Sequence, residues 1–174
     1  MLRKLLIFSF SFILYFTTAI SNNLKIVYVD IDKIINQSNA GKTISQQLKN
    51  FNKINIKKFK EREKKLTEEE KNIIKKKNLL SKEEFDQKVK ILQADIRNYK
   101  KNINNSNIDI EKKRLKGTSE ILGVLNPILA EYSSKNSISL IIQKKNIIIG
   151  KSELDITSEI LKLVNSKIKS VKLN

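Results

Sequence analysis

Leu80-Ser81-Lys82-Glu83-Glu84-Phe85 is the stretch on which the reading of this chain turns. Ser81 has the short hydroxyl of a helix N-cap. Glu84 stands three residues on, where its carboxylate reaches back to the Ser81 amide, and Leu80 and Phe85 occupy the two positions of a hydrophobic staple. The hexapeptide therefore ends one helix and starts another. On its N-terminal side Phe59, Leu66, Ile73 and Leu80 recur at seven-residue spacing. On its C-terminal side Phe85, Val89, Leu92, Ile96, Tyr99, Ile103, Ser106 and Ile110 alternate steps of four and three, with one polar interruption. Both are narrow coiled-coil seams and not the broad face of a globular helix. Folded back at the capping box, the two seams zip into an antiparallel helical hairpin over residues 51–116, with its tip near 78–81. The outgoing arm then projects ~45 Å at 1.5 Å per residue. Thr67-Glu68-Glu69-Glu70 looks like a second start signal, but Leu66 and Ile73 stay in phase across it, which predicts an unbroken helix.

Away from the hairpin the chain turns apolar, and residues 22–50 and 117–174 read as a small body. Lys25-Ile26-Val27-Tyr28-Val29 is β-branched and aromatic and predicts a buried strand. Asp30 or Asp32 then caps a helix that carries Ile34, Ile35, Ile44, Leu48 and Phe51 on one side, with no breaker beyond Gly41 before Ser81. After the arm, Ile121, Leu122, Val124, Leu125, Ile128, Leu129 and Tyr132 bring the return helix back into the body. Pro127 is expected to kink it or restart it behind Asn126, either as a pivot for the arm or as a structural kink alone. Two further strands are predicted near 139–143 and 146–150, around a tight turn at Lys144-Lys145, followed by an amphipathic helix near 157–169. The fold class is α+β: a long helical-hairpin arm on a small β-strand body. Strands this apolar on both faces need burial between subunits, so Ile26, Val27, Val29, Leu140, Ile141, Ile142, Ile147, Ile148 and Ile149 are candidate oligomerisation residues.

Composition removes most chemistry. The 174 residues include no Cys, His or Trp, which closes off thiol nucleophiles, disulfides, the usual zinc ligands and imidazole acid–base work. The four glycines form neither a dinucleotide fingerprint nor a P-loop, so no cofactor and no ATP-driven step is expected. Asp30 and Asp32 have no third ligand nearby, and capping accounts for them. Lys and Arg number 35 against 18 acidic residues, a formal charge of +17. Heavy use of Ile, Asn and Lys explains part of this, but a twofold excess of base over acid also calls for an acidic partner or an anionic surface.

Residues 1–21 read as a secretory signal: Arg3 and Lys4 at the start, an apolar core from Leu5 to Phe16, and Ala19-Ile20-Ser21 at the exit. Cleavage is expected after Ser21, with Ala19 as the alternative. A retained anchor is the competing reading, but the core falls short of the ~20 residues that span a bilayer. Losing Arg3 and Lys4 leaves +15 on the mature chain. An exported chain without cysteine must draw stability from packing and association.

In order and spacing, several segments resemble the Skp/OmpH family of periplasmic chaperones across essentially the whole mature chain. They are Ile26-Val27-Tyr28-Val29-Asp30, Ser38-Asn39-Ala40-Gly41-Lys42, the Leu80 to Glu84 turn, Ile128-Leu129-Ala130-Glu131-Tyr132, Leu140-Ile141-Ile142 and Leu154-Asp155-Ile156-Thr157. The resemblance implies a homotrimer with a shared β-barrel body, and hairpin arms that hold unfolded outer-membrane β-barrel proteins in the periplasm without ATP. It also brings in contact with lipopolysaccharide or anionic lipid, which no residue here locates. The chain departs from the family pattern in its many Ile and Asn residues and in the aliphatic run at 146–150.

On that reading Lys57, Lys58, Lys60, Arg62, Lys64, Lys65, Lys75, Lys76, Lys77, Lys112, Lys113 and Arg114 are the candidate client-binding residues, steering acidic clients by long-range attraction. Each one singly is also what a solvated helix face looks like. The residues leave two other readings open: a coiled-coil adaptor of the envelope, and a basic nucleic-acid binder. The export signal and the lack of a recognition helix or stacking aromatics speak against nucleic acid.

Overall fold

The computed structural model describes residues 24–173. The elements are β1 (Ile26–Val29), α1 (Ile31–Gln37), α2 (Asn39–Lys75), α3 (Lys82–Lys135), β2 (Leu140–Gln143) and α4 (Thr157–Lys167), with single 3₁₀ turns at Lys144–Asn146 and Ser152–Leu154. The signal assigned to residues 1–21 lies outside the described residues.

Asp30 caps α1, its Oδ1 accepting from the Lys33 amide at 2.8 Å. The helix expected to run from there to the tip is broken once, at Ser38. This side chain is fully buried, and its Oγ accepts from the Gly41 amide at 3.1 Å, so it caps α2. Gly41 is required there. A Cβ would lie 1.7 Å from the Ile35 carbonyl oxygen, because α1 and the first turn of α2 meet without room for a side chain.

α2 and α3 form the antiparallel hairpin. Ser81 caps α3 with both halves of the capping box, Glu84 N to Ser81 Oγ at 3.2 Å and Ser81 N to Glu84 Oε2 at 3.0 Å. The Thr67 to Glu70 stretch is continuous helix. The tip is longer than expected: α2 stops at Lys75, and residues 76–81 make the turn. The outgoing arm from Phe51 therefore reaches ~37 Å instead of ~45 Å.

α3 is a single helix of 54 residues with Pro127 inside it, which corrects the expected restart. Proline deprives the Gly123 carbonyl of its partner, but both residues are exposed, so water can take that bond. The same turns are pinned from the inner face by Ile121, Leu125 and Ile128, which are buried in the body core.

β1 and β2 pair in parallel, with Ile26 opposite Leu140 and Val29 opposite Gln143. The arm is thus inserted in the crossover between the two strands. β1 gains one further bridge, Tyr28 to Asp155. The third strand expected near 146–150 does not form. Asn146 closes the 3₁₀ turn and residues 147–150 follow as irregular chain, because no other described segment runs alongside to complete a ladder. The core gathers Val29 and Ile34 with Ile121, Leu125, Ile160 and Val164, and residues beyond α4 close it with Val171 and Leu173. A second, smaller cluster of Leu66, Ile73 and Leu92 sits within the arm, joined by Phe85, Val89, Ile96 and Tyr99.

Candidate functional site

The arm is held by very little. Phe59 meets Tyr99 edge-on at 6.2 Å between centroids, the Leu66, Ile73 and Leu92 cluster lies distal to that pair, and Asn55 bonds Ser106 on the body side. Most of the arm outside the seam faces solvent. Residues 51–116 carry 21 basic and 11 acidic side chains, so +10 of the chain's +17 is concentrated on this spike.

The twelve candidate cations divide by position. Lys57, Lys58, Lys60, Lys64, Lys65, Lys75, Lys76, Lys77, Lys112 and Arg114 are exposed. Lys64 stands 3.9 Å from Glu68 and Arg114 3.4 Å from Glu111, weak surface pairings that leave the field of the arm positive. Lys77 lies over the Phe85 ring at 5.9 Å. Arg62 and Lys113 are different. Arg62 reaches across the hairpin to Asp95 at 3.0 Å, and Lys113 lies 5.0 Å above the Phe51 ring and 3.9 Å from Asp109. Both occupy seam positions, three residues beyond Phe59 and Ile110 respectively, so their charge helps to hold the arm. That heptad spacing was available in the sequence.

Apolar side chains outside the seam belong to the same surface. Ile54, Ile56, Ile74, Leu79, Ile91, Ile108 and Leu115 are all exposed along the arm, Leu79 at the tip to 84%. Shallow grooves flank the seam, one bordered by Lys58, Lys65 and Asn98 and the other by Ile56, Lys60 and Asn107. Isolated isoleucines set among lysines on a thin, solvated rod suit many weak contacts with an extended chain. They do not make a pocket for a small molecule.

In the body, the candidate oligomerisation residues also divide. Val27 and Val29 are buried in the chain's own core, which corrects their assignment to a subunit interface. Ile26, Leu140, Ile148 and Ile149 are exposed, Ile148 to 98%, while Ile141, Ile142 and Ile147 are half-buried. Beside them Lys144 Nζ bonds Asp155 Oδ2 at 2.8 Å and covers the Tyr28 ring at 5.7 Å. Asp155 Oδ1 accepts from the Thr157 amide at 3.0 Å and from the Thr157 hydroxyl, whose oxygen in turn accepts from the Asp30 amide at 2.9 Å. Burial alone would raise the Asp155 carboxyl, but hydrogen bonds from Lys144 and Thr157 outweigh it and hold its pKa below the ordinary value. The hydrogen bond to Asp155 and its charge raise the Lys144 ammonium correspondingly.

Among the described residues no group of three or more His, Cys, Asp or Glu side chains is placed to hold a metal ion. No described helix is long and apolar enough to cross a membrane. A family model described as outer membrane protein (OmpH-like) matches residues 25–164. No curated protein matches the chain. Among solved structures, an OmpH-like protein of Caulobacter crescentus CB15, to which an outer-membrane chaperone role is ascribed, superposes with a TM-score of 0.79 at 17% identity. The match covers 86% of this chain and 88% of that one.

Proposed function

Since the chain belongs to the OmpH-like outer membrane protein family, we propose that it is a non-enzymatic, ATP-independent holding chaperone of the periplasm. It binds unfolded outer-membrane β-barrel chains between its arms and prevents their aggregation before insertion. One observation carries this reading. The hairpin of residues 51–116 leaves a strongly basic surface dotted with single exposed isoleucines, on a rod that buries only a narrow seam. Positive potential speeds the capture of acidic clients, and dispersed apolar contacts hold them reversibly.

The body of residues 22–50 and 117–174 assembles as a homotrimer in this reading. Support comes from a two-stranded sheet with an unpaired β2 edge and from the adjacent Ile148 and Ile149, exposed apolar surface that a solitary chain leaves in water. In the trimer residues 146–150 become a strand, because a neighbouring copy offers the ladder that the single chain lacks. Residues 1–21 direct export and are removed. Anionic lipid or lipopolysaccharide is a secondary ligand of the same basic surface.

The test is sedimentation of the mature protein with and without a urea-denatured porin. A trimer that keeps the porin soluble at stoichiometric ratio is expected. A stable monomer, or porin that aggregates at the same rate with the protein present, overturns the reading. Recovery of one folded envelope protein in place of many unfolded chains would favour an adaptor.

A further inference from the structure

Past α4 the described chain stays on the body. Residues 168–173 run as irregular chain to the root of the arm, where α2 and α3 leave the body, and Val171 and Leu173 are each only 3% exposed while Lys172 between them is exposed. This is the alternation of a strand, yet no described strand receives it. One side chain of α2 takes the place of a strand's backbone. Gln47 Nε2 donates to the Val171 carbonyl at 2.6 Å, and Gln47 Oε1 accepts from the Leu173 amide at 3.0 Å. One helical turn earlier, Thr43 Oγ1 accepts from the Val171 amide at 3.4 Å.

The floor of this site is shaped to admit a side chain from above. At Gly117 of α3 a Cβ would meet Ile44 Cδ1 at 2.8 Å and Leu173 Cδ2 at 3.0 Å, so the absence of a side chain opens the space that Leu173 fills. An amide that donates and accepts along a passing backbone reads chain direction and register, not side-chain identity. The single notch admits Leu173, and Val171, buried two residues earlier with Lys172 exposed between them, sets the alternation.

We infer that the root of the arm carries a strand-accepting groove, occupied in cis by residues 168–173, which takes extended segments with apolar side chains at alternate positions. Membrane-spanning β-strands have this alternation, so the tail stands in for a client strand and an incoming one displaces it. The identity of that competitor rests on the proposed holding function; the groove itself does not.

Hydrogen exchange on the full chain tests this. The probe is a synthetic peptide of about ten residues, one membrane-spanning strand in length, alternating Val or Leu with Thr or Lys. The expected result is that the peptide accelerates exchange of the Leu173 amide at least about tenfold, the change produced by losing two ordinary hydrogen bonds, while amides of the arm seam are unaffected. A peptide of the same composition with its apolar residues contiguous leaves Leu173 protected. Unchanged exchange at Leu173 with the alternating peptide, or equal release by the contiguous one, overturns the inference. Gln47→Leu should accelerate tail exchange without any peptide; continued protection at Leu173 in that variant counts against the groove. A protein that releases its tail but fails to keep a denatured porin soluble would count against the holding function alone.

Discussion

Asn55 Nδ2 donates to Ser106 Oγ across 2.6 Å, a neutral polar rung between the body core and the apolar cluster farther along the arm. A polar pair in a seam satisfies itself in one alignment only, so the rung sets the register of the two helices at some cost in stability. Alanine at both positions should show a coupling of about 1 kcal/mol in a double-mutant cycle. Leucine at both should raise the urea midpoint and lose the register. The chain has no cysteine, so engineered pairs can report register cleanly: one register cross-links in the parent, and neighbouring registers cross-link as well in the leucine variant.

Arg62 and the free-standing lysines predict different phenotypes. The Arg62 to Asp95 pair has side chains 42% and 35% exposed, so solvent screening limits it, and Arg62→Leu should cost under about 1 kcal/mol and less at high salt. Changing Lys57, Lys58 and Lys60 together to Gln should leave the melting temperature in place. It should slow association with a denatured acidic porin several-fold at low salt, an effect that vanishes as salt rises. Stopped-flow capture at two ionic strengths separates the two outcomes.

The Lys144 to Asp155 link predicts the acid limb of stability. The folded carboxyl has a lowered pKa, so its contribution is complete above the ordinary aspartate value and is lost as pH falls through the lowered one. Asp155→Asn should therefore lower the urea midpoint at neutral pH and match the parent at strongly acid pH. A variant whose deficit persists unchanged into acid would show that the charge is not what matters.

Ser137 ends α3 at φ 51, in the left-handed region, with Ile138 N bonded to the Ser133 carbonyl at 3.0 Å and Ser137 N to Ser134 at 3.4 Å. This is a Schellman ending with serine at the position glycine prefers. Ser137→Gly should stabilise the fold by about 1 kcal/mol, read as a shift in the denaturation midpoint with an unchanged slope.

Pro127 lies on the exposed side of a helix that is continuous through it. Pro127→Ala restores a backbone hydrogen bond and removes the ring's clash, which should add up to about 3 kcal/mol. If Pro127 is also a pivot for the arm, the variant should bind a large porin more slowly than a small one, relative to the parent.

The hairpin was legible in the linear chain because everything that makes it is local. The capping box at Ser81 and Glu84 acts within one turn, and the seam from Phe59 to Ile110 follows from helical periodicity. The same periodicity places Arg62 and Lys113 in the seam, and attending to charge alone hides it. The body was less legible because its elements depend on neighbours remote in sequence. The break at Ser38 is completed by Asn165 Oδ1, which accepts from the Asn39 amide at 2.8 Å across 126 residues, and by the meeting of Gly41 with Ile35. Ile147-Ile148-Ile149 has every propensity for a strand and forms none, since a strand is defined by the partner that takes its backbone bonds and no described segment supplies one. Val27 and Val29 read like interface residues, and folding turned them inward under Ile34 and Ile160. Periodicity and capping are written residue by residue; burial and pairing exist only once distant parts of the chain have met.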